Sequence, residues 1–165
     1  AREASVSLLK AGVSQDNITR ARDFLFEPGI SVARDAAIAI DSVDVHAMHD
    51  PTEGGLATGL MEMATASGTG ILLRESNIPK LAESDLFWDA LGLDPLGLIA
   101  SGSLLVAVAP EDASRLVQAL GEKEISAAEI GRFMEPEEGM VLETPDGVRS
   151  LPVFGRDELA RFLGE

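Results

Sequence analysis

The sequence predicts an α+β fold, a mixed β-sheet with helices packed on it, and three observations carry that reading. Helical and strand periodicities interleave along the chain. The six-residue apolar run Leu104–Ala109 reads as a strand suited to a buried central position. Asp146-Gly147, between the runs Met140–Glu143 and Val148–Leu151, reads as an antiparallel hairpin. Neither a helical bundle nor a sandwich accommodates all three.

Taken in order, Val6, Leu8 and Leu9 form a short apolar piece that Gly12 closes. Asp16 or Asn17 can cap a helix running to Phe26, where Glu27-Pro28-Gly29 stops it, because proline disfavours helix in the residue before it. Ser31–Ile40 reads as a second helix and Val43–Met48 as a strand. Leu56, Leu60, Met63 and Ala64 recur at helical spacing up to Ala66, Gly68 and Gly70 end that helix, and Ile71-Leu72-Leu73 starts a strand. Pro79 opens a helix through Phe87, Trp88 and Leu91 that Gly92 ends. Pro110-Glu111-Asp112 gives another helix, continuing to Leu120, an acidic first turn favourable to its dipole. Asp157–Leu163 closes the chain as an amphipathic helix with Leu159, Phe162 and Leu163 inward.

Length and composition bound the function. The chain has 165 residues, room for one domain, and 45% of them are hydrophobic, enough for a proper core. With no cysteine, a disulfide framework, a thiolate metal site and a cysteine nucleophile are excluded. No apolar run reaches the roughly 18 to 20 residues of a membrane span, so a soluble, cytoplasmic protein without membrane partners is expected. Residues 1–35 balance five basic against five acidic side chains, and all of the net charge of −15 lies beyond them. Such a surface repels phosphate backbones, so nucleic acid is not an expected partner.

The chemistry concentrates in His46-Ala47-Met48-His49-Asp50-Pro51-Thr52-Glu53-Gly54-Gly55-Leu56, which has the order strand, tight polar turn, paired glycines, helix. A helix N-terminus offers free N–H groups and the positive end of a dipole, and glycines let a ligand approach the backbone. Thr52 adds a hydroxyl donor, and Asp50 can hold a metal ion bridging phosphates or act on a substrate proton. The same residues also fit a plain structural role, with Asp50 or Thr52 capping the helix and Gly54-Gly55 allowing tight packing. The segment is neither a Walker A loop nor a dinucleotide fingerprint, since Gly-Lys-Ser/Thr and the G-x-G-x-x-G spacing are both absent. His46 and His49 stand three apart, on opposite faces of a strand, so joint metal ligation needs a turn between them. Met48, Met61 and Met63 read as core fillers, and Ser101-Gly102-Ser103 as a turn able to line a cleft.

Asp50–Ala57 resembles the D-P-T-x-G-G-L-A signature in the C-terminal domain of the HypE proteins. It also resembles the shorter D-x-T-G-G-G turn of aminoimidazole ribonucleotide (AIR) synthetase. Pro28–Val32, Ala66–Ile71, Ile78-Pro79, Leu91–Leu96 and Ala100–Val108 agree in the same order, so the resemblance covers roughly residues 17–160. It implies a fold like the C-terminal domain of AIR synthase (PurM), over residues 17–165. Residues 1–16 are then a linker from a missing N-terminal ATP-binding domain. It implies ATP and Mg²⁺, bound with that N-terminal domain in a cleft between the halves of a homodimeric enzyme. The enzyme phosphorylates an amide or carbonyl oxygen on a small or protein-borne substrate. By the same resemblance, Thr52, Gly54 and Gly55 contact phosphate, and Asp50 faces the metal or the reacting group.

Three departures accompany it. The chain opens without methionine, as a piece cut at a domain boundary would, and is expected to be inactive alone. It ends Arg161-Phe162-Leu163-Gly164-Glu165, without the terminal cysteine that carries the reacting group in HypE. Position 53 is Glu where HypE sequences commonly have Arg. A non-catalytic interaction or regulatory module keeping the fold is the rival expectation.

Overall fold

The computed structural model describes residues 1–164. Its helices are α1 (Ser5–Lys10), α2 (Gln15–Asp23), α3 (Ala33–Ser42), α4 (Gly55–Ser67), α5 (Ser84–Leu91), α6 (Pro110–Gly121) and α7 (Glu158–Leu163). The strands are β1 (Val45–His49), β2 (Gly70–Arg74), β3 (Leu105–Val108), β4 (Gly131–Met134), β5 (Met140–Thr144) and β6 (Gly147–Ser150). Helices and strands interleave as expected, giving an α+β domain. Among the described residues no helix is long and apolar enough to cross a membrane.

The strands divide into two sheets. In one, β1 and β3 run antiparallel, with His49 opposite Leu105 and an irregularity between Val45 and Ala47. The other has the order β4-β2-β5-β6, with β2 antiparallel to β4 and parallel to β5. β5 and β6 form the hairpin that Asp146-Gly147 predicts, Thr144 standing opposite Gly147.

Leu104–Ala109 corrects one expectation. It is not a central strand: β3 has β1 as its strand neighbour and Leu105 is its buried residue. The run is apolar because both of its faces are covered. Val106 and Val108 pack against Leu116 and Leu120 of α6, while Leu105 joins Ala57, Leu60, Ile71 and Leu142. Burial of both faces makes a strand apolar whatever its position along the hydrogen-bonding direction.

Helix ends moved where local signals compete. Ser14 caps α2, accepting from the Asn17 N–H at 3.2 Å, so the helix opens ahead of both expected caps. It closes at Asp23, and Leu25–Gly29 forms a wider turn. Pro79 does not open α5, which starts at Ser84 after a turn closed by the Ser84 N–H on the Leu81 carbonyl (3.0 Å). Gly92 ends α5 in the left-handed region (φ 62°), as expected. β4 has no counterpart among the expected strands. Leu163 is 40% exposed rather than inward, while Phe162 packs against the third core cluster. Met48, Met61 and Met63 all fill core space.

Residues 1–16, expected as a linker, carry α1 and the start of α2. Leu8 of α1 is fully buried with Ile18, against Phe87, Leu91 and Phe162, so this stretch folds onto α5 and α7.

Candidate functional site

The turn from Asp50 to Gly55 leaves the end of β1 and enters α4. Pro51 is fully buried and anchors it. Gly59, one turn into α4, lets that anchor sit close: a side chain there would meet Pro51 and His49 at 2.9 Å. Gly54 and Gly55 are both left-handed (φ 76° and 65°), and two such residues in succession suit only glycine. A Cβ on Gly55 would lie 2.5 Å from the Leu98 carbonyl oxygen and 2.7 Å from that of Leu96, so the 96–98 backbone packs directly on the turn.

Neither Asp50 nor Thr52 caps the helix. Gly54 is the N-cap residue and no neighbouring side chain satisfies the first turn of α4. Both side chains are exposed to solvent, as is Glu53. The Thr52 carbonyl instead closes the turn, accepting from Gly55 at 3.1 Å and from Ala100 at 3.4 Å. The capping role open to Asp50 and Thr52 in the sequence is therefore not the one they play.

The Gly54 N–H is engaged from far away in sequence. It donates to Asp157 Oδ2 at 3.0 Å. The other Asp157 oxygen accepts from Leu159 N–H at 2.8 Å and caps α7. Next to it, Glu158 accepts from the Asp94 N–H (2.9 Å) and pairs with Arg161 Nε at 2.6 Å. The Arg161 guanidinium, and after it the Asp94 amide, hold the buried Glu158 carboxyl below the usual glutamate range, against the opposing effect of burial. Asp94 then turns the chain, accepting from Leu96 N–H at 2.9 Å. Asp157, the N-cap residue of α7, and the adjacent Glu158 thus reach the Asp50–Gly55 turn and the start of the 94–98 segment.

Beside the turn lies a cleft of about 480 Å³, reached by Leu56 at the start of α4 and by the 95–105 segment. Ser101, Gly102 and Ser103 line it, as does Trp88, over which Lys80 Nζ stands at 5.6 Å from the ring centre. His49 faces Glu62, Nε2 to Oε2 2.8 Å, rather than His46. Among the described residues no three His, Cys, Asp or Glu side chains converge to hold a metal ion.

The turn, the left-handed glycine pair and the sheet order are the setting in which a family match acquires meaning, and the model of the AIR synthase related protein C-terminal domain matches residues 4–142. The chain belongs to that family. This AIR synthase related domain is 40% identical over 123 residues to a Methanocaldococcus jannaschii protein named for hydrogenase expression and formation, covering 73% of this chain and 37% of the relative. It superposes on HypE of E. coli, a hydrogenase maturation protein, with a TM-score of 0.71 and 30% identity, over 79% of this chain and 42% of that one. A HypE structure in complex with ATP matches at TM-score 0.63 and 34% identity, over 69% of this chain and 37% of that one. The domain therefore spans less than half the length of each of these proteins.

Sequence reasoning singled out the turn and passed over Asp157, Glu158 and Asp94. Asp157-Glu158 reads locally as the acidic start of a helix, and nothing in the sequence reveals that the two carboxylates also accept from amides 103 and 64 residues away.

Proposed function

We propose that this domain supplies one wall of an ATP cleft, completed by an N-terminal half, in an enzyme that phosphorylates an amide or carbonyl oxygen. The observation that carries the reading is the pairing of a turn anchored by buried Pro51, Gly54 and Gly55 with two outward, non-capping side chains, Asp50 and Thr52. Solvent-facing polar groups on an over-determined backbone are the form that positioning of phosphate takes. The HypE structure solved with ATP, at 34% identity, supports the same ligand here.

The residues present fit the ligand in part. Thr52 can donate its hydroxyl to a phosphate oxygen near the positive end of α4. Asp50 suits one coordination position of Mg²⁺, whose preference is for a few carboxylates together with phosphate oxygens. On this reading the other metal ligands, and the surface for dimer formation, would come from the N-terminal half. Gly54 and Gly55 are buried and their N–H groups are already bonded, so their contribution is the shape of the turn. Bound there, ATP would supply the phosphoryl group that turns the substrate oxygen into a leaving group.

A second reading, an interaction module without catalysis, draws on the charge of the same turn. Asp157 already occupies one donor, and Glu53 adds a further carboxylate. ADP release separates the two, measured on the full-length protein with wild type and Asp50→Asn. The enzyme reading expects slow turnover that falls by roughly 10² or more in the variant. Equal rates, or none in either protein, favour the module.

A further inference from the structure

We infer that Asp157 is a positioning residue for the Asp50–Gly55 turn, and that α7 is the clasp holding that turn and the 94–98 segment in register. The inference rests on the nucleotide reading above for what the turn does, and on geometry alone for how it is held.

Asp157 divides its two oxygens between tasks. Oδ1 caps α7 through Leu159 N–H at 2.8 Å, and Oδ2 takes Gly54 N–H at 3.0 Å. A carboxylate accepting from backbone amides makes charge-assisted bonds, roughly twice as strong as neutral ones. The following residue also works in two directions: both Glu158 oxygens pair with Arg161 on its own helix, and Oε2 additionally accepts Asp94 N–H at 2.9 Å. Arg161 adds a third link, donating to the Gly92 carbonyl at 3.0 Å. Asp94 in turn fixes Leu96 N–H, and the Leu96 and Leu98 carbonyls press on Gly55. Just ahead of α7, the Phe154 ring lies against Gly97 so closely that a side chain there would collide with it.

The two walls of the site are therefore tied to one short helix rather than to each other alone. Gly54 needs such a tie. A glycine in the left-handed region has wide conformational freedom, and α4 provides no side chain to restrain it. With Gly54 held, Thr52 and Asp50 present their side chains from a fixed backbone. Released, the glycine pair can rotate, and both side chains lose their common orientation.

Asp157→Ser tests this, because a serine hydroxyl still caps α7 but is too short to reach Gly54 as well. In the full-length protein, hydrogen exchange in a peptide covering residues 51–57 is expected to speed up by about 10-fold or more, with residues 110–121 of α6 unchanged. KM for Mg·ATP is expected to rise about 10-fold while kcat changes less than about threefold. Asp157→Glu, which keeps an acceptor oxygen for each amide on a side chain one methylene longer, is expected to bring both readouts closer to wild type than Asp157→Ser does. Unchanged exchange at 51–57 in Asp157→Ser overturns the clasp. Faster exchange with an unchanged KM overturns the role in the site. A wild type that binds and turns over no ATP overturns the nucleotide reading and the site role with it, while the exchange rates still decide whether Asp157 holds the turn.

Discussion

Gly55 and Leu98 stand closer than any side chain at position 55 permits: a Cβ there would come to 2.5 Å from the Leu98 carbonyl oxygen. The relationship explains the second glycine of the pair without reference to a ligand. At Gly54 the obstruction is the Thr58 side chain, whose hydroxyl can rotate away and whose Cβ, at 2.9 Å, needs a small shift, whereas at Gly55 it is the backbone of Leu96 and Leu98, whose carbonyl oxygens lie closer than that Cβ and are fixed by the chain. Gly54→Ala is therefore expected to cost about 1–2 kcal/mol, the penalty of a left-handed alanine. Gly55→Ala is expected to cost more, by about 1–3 kcal/mol of backbone displacement. Urea unfolding of both variants checks the order, and equal losses would refute it.

Thr52→Val and Asp50→Asn should leave stability within about 0.5 kcal/mol of wild type, because both side chains are exposed and neither caps α4. A helix-capping role would instead cost about 0.5–2 kcal/mol. Denaturation midpoints decide between these, and a loss in the capping range would return both residues to a structural role.

Glu158 predicts a pH dependence. The Arg161 guanidinium, then the Asp94 amide, place its folded pKa below its ordinary value of 4.5. Folding thus favours the ionised form. The stabilisation is fully present above about pH 4.5 and is lost as pH falls through the folded pKa. Glu158→Gln is expected to be less stable than wild type at pH 7, and the gap is expected to narrow as the pH drops below that value. Thermal melts of the two proteins between pH 7 and pH 3 measure it; a gap independent of pH would show that the charge is immaterial.

Leu8 ties the first residues to the domain. It is fully buried among Ile18, Phe87, Leu91 and Phe162. Leu8→Ala should therefore cost about 2–5 kcal/mol. A loss under about 0.5 kcal/mol, read from chemical denaturation, would make residues 1–16 a loosely attached leader.

The sequence by itself determined what depends on neighbouring residues. Proline and glycine punctuation placed Gly92 at the end of α5 and Asp146-Gly147 in the hairpin, and the Asp50–Gly55 turn lies between a strand and a helix as its order implied. These features depend on backbone dihedral preferences and periodicity, which act over a few residues and are written locally. Tertiary structure alone decided the rest. The apolar run of β3 is covered by α6 on one face and by the α4 core on the other, a fact about burial that periodicity cannot convert into strand order. What holds the Gly54 N–H was decided there too: its partner, Asp157, is 103 residues distant. A hydrogen bond spanning that distance leaves no spacing pattern in the chain, because each end looks like an ordinary cap or turn until the fold brings the two together.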